Sequence, residues 1–191
     1  MNQVKTTSGK FTPPQFSEVI LKTANFAAMK DWYETVTDVK AFFVRDDAKA
    51  PNWTGAYSIA FIRIFADHPY TQVLGLFEVP EISSGNPRAP GLNHMQFREA
   101  SLENLFLRYE MLRSKGVLPF KSYNHGPGSS FYYRDPDGNE VELSATNFAN
   151  QEDYLAFMRS EAFRGNVEGH AVDAQRYIAE VRAARGMSNK K

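Results

Sequence analysis

Two stretches of the chain repeat one pattern of apolar and polar positions. "EVILKTANFAAMKDWYE", from Glu18, superposes on "HMQFREASLENLFLRYE", from His94. In that register Val19 meets Met95, Leu21 meets Phe97, Lys22 meets Arg98, Ala24 meets Ala100, Phe26 meets Leu102, Met29 meets Leu105, and Tyr33-Glu34 meets Tyr109-Glu110. Each copy begins with apolar residues at every second position and then changes to helical spacing, which predicts a strand followed by a helix. Asn25 and Ser101 stand where an N-cap belongs; the second helix is expected to close after Leu112, with Gly116 as its left-handed C-terminal cap. Three strand-like segments follow each helix: "VKAFFV", "YSIAFIRIF" and "QVLGLFEV", then "LPFKSYN", "SSFYYRD" and "NEVELSA". "DPDG", residues 135–138, reads as the tight turn of a closing hairpin. The chain therefore predicts an α+β fold: two βαβββ modules forming one curved, cleft-bearing mixed sheet, with C-terminal helices.

The Pro-, Gly- and Ser-rich stretch at residues 80–91 is the natural connector between modules. Beyond Asn150, "NQEDYLAFMRSEAF" and "AVDAQRYIAEVRAARG" carry apolar residues at helical spacing and are expected on the outside of the sheet. The expected organisation is a flexible N-terminal segment 1–15, one domain over 16–147 with modules 16–80 and 91–147, a helical extension 148–186, and a frayed tail 187–191.

Composition narrows the chemistry. With 22 basic and 22 acidic residues among 191, and no dense Lys/Arg run, nucleic acid is not an expected partner. The N-terminus is polar and no stretch approaches a membrane-spanning length, so a soluble cytoplasmic protein is expected. Exposed sheet edges leave pairing into a homodimer open. There are no cysteines, so a metal would have to be held by histidine and carboxylate.

A sheet of two such modules brings the first and last strand of each half towards one concave face. In the repeat register this gathers Glu18, His94, Gly75 in "LGL" and Glu142 in "VEL". An imidazole and two carboxylates facing one another are costly to bury unless a cation neutralises them, and such donors suit Fe(II), Mn(II) or Zn(II). The plainer alternatives are that His94 is a hydrogen-bonded core residue and Glu18 an ordinary exposed carboxylate at a strand start. Glu142 has no such easy explanation, whereas Glu140, nearer the turn, can simply be solvated. His68 and His170 stand in loop-like contexts and are also expected in solvent.

The paired βαβββ halves and the hairpin resemble the vicinal oxygen chelate superfamily, which includes glyoxalases and type I extradiol ring-cleaving dioxygenases. Within residues 16–147, "HGPGSSFYYRDPDGNEVEL" resembles the extradiol signature in detail: histidine, five residues, Phe-Tyr, two residues, Asp-Pro-x-Gly, three residues, glutamate. "PGLNHMQFREASLENL", "SYNHGPGSSFYYRDPDG" and "FMRSEAF" further resemble small single-domain biphenyl-2,3-diol dioxygenase-like proteins. The resemblance implies that Glu142 and His94 bind a metal, Fe(II) foremost with Mn(II) or another divalent ion as alternatives. It implies that His125 is an acid/base beside that metal and Tyr132 a hydrogen-bond donor to a bound substrate oxygen. The implied partners are O2 and a small aromatic substrate.

The chain departs from that family at two places. The usual first ligand is a histidine, where this chain has Glu18; one histidine and two glutamates favour a harder metal such as Mn(II). The histidine pair before the last strand of the first half is replaced by Thr71-Gln72, with His68 three residues too early. Gly75 cannot supply the fourth protein ligand of glyoxalase-type relatives. Three functions stay open on the sequence: an extradiol-type dioxygenase acting on a catecholic or phenolic compound, a metal-dependent isomerase or lyase using His125 or Glu18 as base, and a non-catalytic binder of an aromatic ligand.

Overall fold

The computed structural model describes residues 14–67, 70–82 and 92–186. The expectations for the flexible segment up to residue 13, for His68, for residues 83–91 of the connector and for the tail lie outside the described residues. The chain divides into two compact units, Met1–Ser84 and Gly85–Lys191.

The first unit contains β1 (Glu18–Thr23), α1 (Phe26–Thr37), β2 (Phe43–Arg45), β3 (Ile59–Asp67) and β4 (Tyr70–Glu78), in a sheet of order β1-β4-β3-β2. The second contains β5 (His94–Arg98), α2 (Leu102–Ser114), β6 (Lys121–Asn124), β7 (Gly128–Arg134), β8 (Glu140–Thr146), α3 (Gln151–Met158), α4 (Glu161–Gly165), β9 (His170–Ala171) and α5 (Ala174–Arg185). Its sheet runs β5-β8-β7-β6-β9. The strands thus hydrogen-bond as two sheets rather than the single one expected, because each module closes its own ladder: β1 pairs in parallel with β4, and β5 with β8.

The repeat is kept in the register itself. Ile20 pairs with Gly75 in the first sheet and Gln96 with Glu142 in the second, so Gly75 and Glu142 are equivalent positions. The helices keep it too: Phe26, Met29 and Tyr33 of α1, and their counterparts Leu102, Leu105 and Tyr109 of α2, are all buried. α2 covers β8, whose inward residues Val141, Leu143 and Ala145 are buried, and Phe106 and Tyr109 meet Phe131 of β7 with ring centroids 6.5 and 5.4 Å away.

Ser101 caps α2 as expected, accepting from the Asn104 amide at 3.1 Å. Asn25 does not cap α1 with its side chain. Its backbone (φ −112°, ψ 48°) lacks the extended form that aims a cap side chain back at the helix, and its own amide donates instead to Thr23 Oγ1 at 2.8 Å. α2 runs two residues past Leu112 and ends with Gly116 at φ +77°; the Gly116 and Val117 amides donate to the Arg113 and Leu112 carbonyls, a paired closure that needs the left-handed residue.

The helical run expected from Asn150 to Phe163 is two helices. Ser160 turns extended (φ −74°, ψ 159°), and its hydroxyl caps α4 by accepting from the Phe163 amide. His170 is exposed as expected, but it lies in the short strand β9 on the edge of β6, too brief for any alternation to betray it. α5 is tied to α2 by buried Arg182, which bonds Glu103 at 2.8 Å and Glu110 at 2.6 Å. Among the described residues no helix is long and apolar enough to cross a membrane.

Candidate functional site

The pleat sorts the second sheet into an apolar and a polar face. Residues two apart share a face, so His94 and Gln96 of β5, Glu140 and Glu142 of β8, Ser130 and Tyr132 of β7, and Lys121 and Tyr123 of β6 lie together. The turn after Arg134 fixes that register. Asp135, almost fully buried, accepts from the amides of Asp137 (3.0 Å) and Asn139 (2.8 Å), and Gly138 takes φ +86°. Tyr132 is consequently held opposite Glu142.

Glu142 is 4% exposed. Its Oε1 accepts from Gln96 Nε2 at 2.7 Å and from Ser130 Oγ at 2.6 Å, while Oε2 lies 3.1 Å from His94 Nε2. The other nitrogen of His94, Nδ1, lies 2.7 Å from Asn93 Oδ1, which leaves Nε2 as the nitrogen that faces the carboxylate. Two donor atoms bonded at right angles to one divalent ion, each about 2.1 Å from it, stand about 3 Å apart. The His94–Glu142 separation fits such a pair, and the imidazole and carboxylate donors suit Fe(II), Mn(II) or Zn(II).

Beside this pair stands a second one. His125 Nε2 is 3.1 Å from the Tyr132 hydroxyl, and His125 Nδ1 is 2.7 Å from the Glu168 carbonyl. The Tyr123 ring stacks on the imidazole at 5.4 Å and 11°. The His94 and Tyr132 rings are 6.1 Å apart, so the two pairs adjoin. Burial, with the Glu142 negative charge second, pushes the Tyr132 phenol up to about 12, which keeps it protonated and a donor near neutral pH. The turn carrying His125 is not capped by its ring: Asn124 Oδ1 does that by accepting from the Gly126 amide at 2.9 Å.

Glu140 is not simply solvated. Lys121 lies 3.0 Å and Arg134 3.1 Å from its carboxylate, and these cations hold its carboxyl below the usual range against the opposing effect of burial. Lys121 also lies 4.4 Å from the Tyr132 ring centroid.

Glu18 is exposed at the start of β1, opposite Val73, and lines a cavity of about 410 Å³ with Phe42, Phe43, Phe61 and Val73. The same unit holds Gly75, over which Ile20 and Phe61 close. The second unit thus brings together His94, Glu142, His125 and Tyr132. Among the described residues no three His, Cys, Asp or Glu side chains stand together so as to hold a metal ion.

Sequence reasoning missed Gln96, Ser130, Tyr123, Asn93 and the Glu168 carbonyl. The first three carried a usable signal, for each stands two residues from a named site residue and a strand returns every second side chain to the same face. The Glu168 carbonyl carried none, since a backbone acceptor far along the chain has no sequence signature.

Known proteins share this arrangement of modules. Residues 15–143 match the family model of the Glyoxalase/Bleomycin resistance protein/Dioxygenase superfamily. Two curated relatives come from Rhodococcus globerulus. Biphenyl-2,3-diol 1,2-dioxygenase 2 is 34% identical over 160 residues, covering 84% of this chain and 77% of that protein; biphenyl-2,3-diol 1,2-dioxygenase 3 is 30% identical over 158 residues, covering 82% and 76%. Among solved structures, a glyoxylase/bleomycin resistance protein/dioxygenase domain from Frankia sp. EAN1pec aligns with a TM-score of 0.57 at 20% identity, over 72% of this chain and 96% of that one. The duplicated module, the family match across both halves and the identity to the two Rhodococcus proteins agree, and the chain belongs to the glyoxalase/bleomycin resistance protein/dioxygenase superfamily.

Proposed function

We propose that the protein is a metal-dependent dioxygenase of the extradiol ring-cleaving type, acting on a small catecholic or phenolic compound. The observation that carries this reading is the 3.1 Å approach of His94 Nε2 to Glu142 Oε2 with the His125–Tyr132 pair beside it. The identity to two dioxygenases supports the reaction type. In this reading His94 and Glu142 would hold the metal, Fe(II) or Mn(II). A divalent metal held there would supply Lewis-acid chemistry and a place for a catecholate and O2 to be brought together.

The remaining work belongs to side chains of the chain. Gln96 and Ser130 occupy Oε1 of Glu142 and leave Oε2 to face His94. His125 Nε2, the unprotonated nitrogen when Nδ1–H donates to Glu168, takes a proton from a substrate hydroxyl and later returns it. Tyr132, which stays protonated, donates a hydrogen bond through its hydroxyl to a substrate oxygen.

One observation favours a second reading. Thr71-Gln72 stands where the dioxygenases usually carry a histidine pair, so a metal-dependent isomerase or lyase reaction with His125 as base is the alternative. The test is metal analysis of purified protein followed by O2 uptake with 2,3-dihydroxybiphenyl and simpler catechols. Stoichiometric uptake with a ring-opened product supports the dioxygenase. Bound metal without uptake points to the isomerase or lyase, and a protein that takes no divalent metal overturns both.

A further inference from the structure

The segment Glu168–Ala171 runs along the turn that carries His125, far beyond the residues that match the family model. β9 pairs with β6 through Tyr123–Ala171 and Asn124–His170, and the next amide, Val172 N, donates to the Ser122 carbonyl at 2.9 Å. The approach is very close. Gly169 has φ +76°, and a Cβ there would overlap the Asn124 carbonyl and stand 2.5 Å from His125 Cα. Only glycine meets both demands. The turn has a second close approach, for a Cβ on Gly126 (φ +87°) would stand 2.7 Å from the Phe157 ring of α3. Asn147 Nδ2 donates to Asn124 Oδ1 at 3.0 Å and to the Gly126 carbonyl at 2.8 Å.

We infer that this strap, with Gly169 at its point of contact and the Glu168 carbonyl as its acting group, is the positioning element of His125. A carbonyl only accepts, so at 2.7 Å it requires the proton on Nδ1. The neutral ring must then present the Nε2 lone pair to the Tyr132 hydroxyl and to whatever oxygen lies beside it. Tyr123, stacked on the ring, fixes its plane but cannot choose its tautomer. The superfamily fold thus carries the imidazole while the C-terminal extension decides which nitrogen is the base. The catalytic consequence rests on the dioxygenase reading; the tautomer does not.

The test is nitrogen-15 NMR of the His125 imidazole in the full chain, with Gly169→Ala and Val172→Pro as two independent ways to loosen the strap. Val172→Ala, which keeps the amide, is the control. The wild type and the control are expected to show the Nδ1–H form. Both loosened variants are expected to shift towards Nε2–H, with kcat on a catechol reduced roughly 10²-fold and metal content unchanged. An Nε2–H ring in the wild type overturns the inference, as does an Nδ1–H ring with unchanged kcat in both folded variants. The tautomer decides the matter even in a preparation that cleaves no catechol, and that lack of turnover would count against the dioxygenase reading alone.

Discussion

His94 Nε2 and Glu142 Oε2 lie 3.1 Å apart on neighbouring parallel strands, while the far atom of the carboxylate, Oε1, is occupied by Gln96 and Ser130. The two oxygens therefore have different tasks. Replacing Glu142 with alanine should remove bound metal, as should His94→Ala. Gln96→Ala and Ser130→Ala should each keep both ligands but weaken metal affinity roughly 10- to 100-fold, the usual cost of losing a partner that orients a ligand. Metal titration of the four variants checks this; an unaltered affinity in both the Gln96 and Ser130 variants would show that Oε1 needs no holding.

His125→Ala separates catalysis from architecture. The ring ties the turn to the Glu168 carbonyl, but the turn itself is capped by Asn124, whose Oδ1 accepts from the Gly126 amide. Metal content should stay unchanged while turnover falls roughly 10²- to 10⁴-fold, the worth of a positioned acid/base group. Turnover per folded molecule close to wild type, measured on a preparation of known metal content, would remove His125 from the mechanism.

Much of this was legible in the chain because it is written in short periods. The alternation in "HMQFR" and "NEVELSA" puts His94 and Glu142 on one face, and the Asp-Pro-Asp-Gly turn sets Tyr132 opposite Glu142. What stayed hidden depends on long-range contact. The Glu168 carbonyl reaches His125 only after α3 and α4 have folded back, and β9 has two residues. The cations that hold Glu140, Lys121 and Arg134, come from two other strands, so no local pattern announces them.

Alkaline pH should destabilise the protein through Tyr132. Its pKa is about 12 in the folded state against about 10 when unfolded, so the folded state keeps the proton longer. Stability is full below pH 10 and falls as pH rises from there through about 12, by roughly 2 to 3 kcal/mol at most from this side chain. Tyr132→Phe should flatten that part of the curve. Denaturant midpoints between neutral and strongly alkaline pH, in both proteins, provide the comparison; parallel curves would reject it.

Arg182 should act as a latch between α5 and α2. It is 7% exposed, bridges Glu103 and Glu110, and lies 5.7 Å from the Phe106 ring centroid. The two glutamates can turn to water once the arginine is gone, so the loss is that of charge-assisted hydrogen bonds and not of a stranded buried charge. Arg182→Ala should cost roughly 1 to 3 kcal/mol in chemical denaturation. Salt should mask little of it, because the guanidinium is shielded from solvent.

The position equivalent to Glu142 in the first half tests how far the repeat still tolerates exchange. Gly75 pairs with Ile20 as Glu142 pairs with Gln96, but Ile20 and Phe61 have closed over the space where a side chain would stand. A Cβ at Gly75 would overlap the end of the Ile20 side chain and lie 3.1 Å from the Phe61 ring. Gly75→Ala should therefore destabilise the protein by roughly 1 to 3 kcal/mol through overpacking. Ile20→Val removes the offending terminal methyl, so the same substitution in that background should cost clearly less, with a coupling of roughly 0.5 kcal/mol or more between the two sites. Denaturant unfolding of the wild type, both single variants and the double variant closes the cycle. Strictly additive effects would mean that the Gly75 requirement comes from the Phe61 ring and not from Ile20.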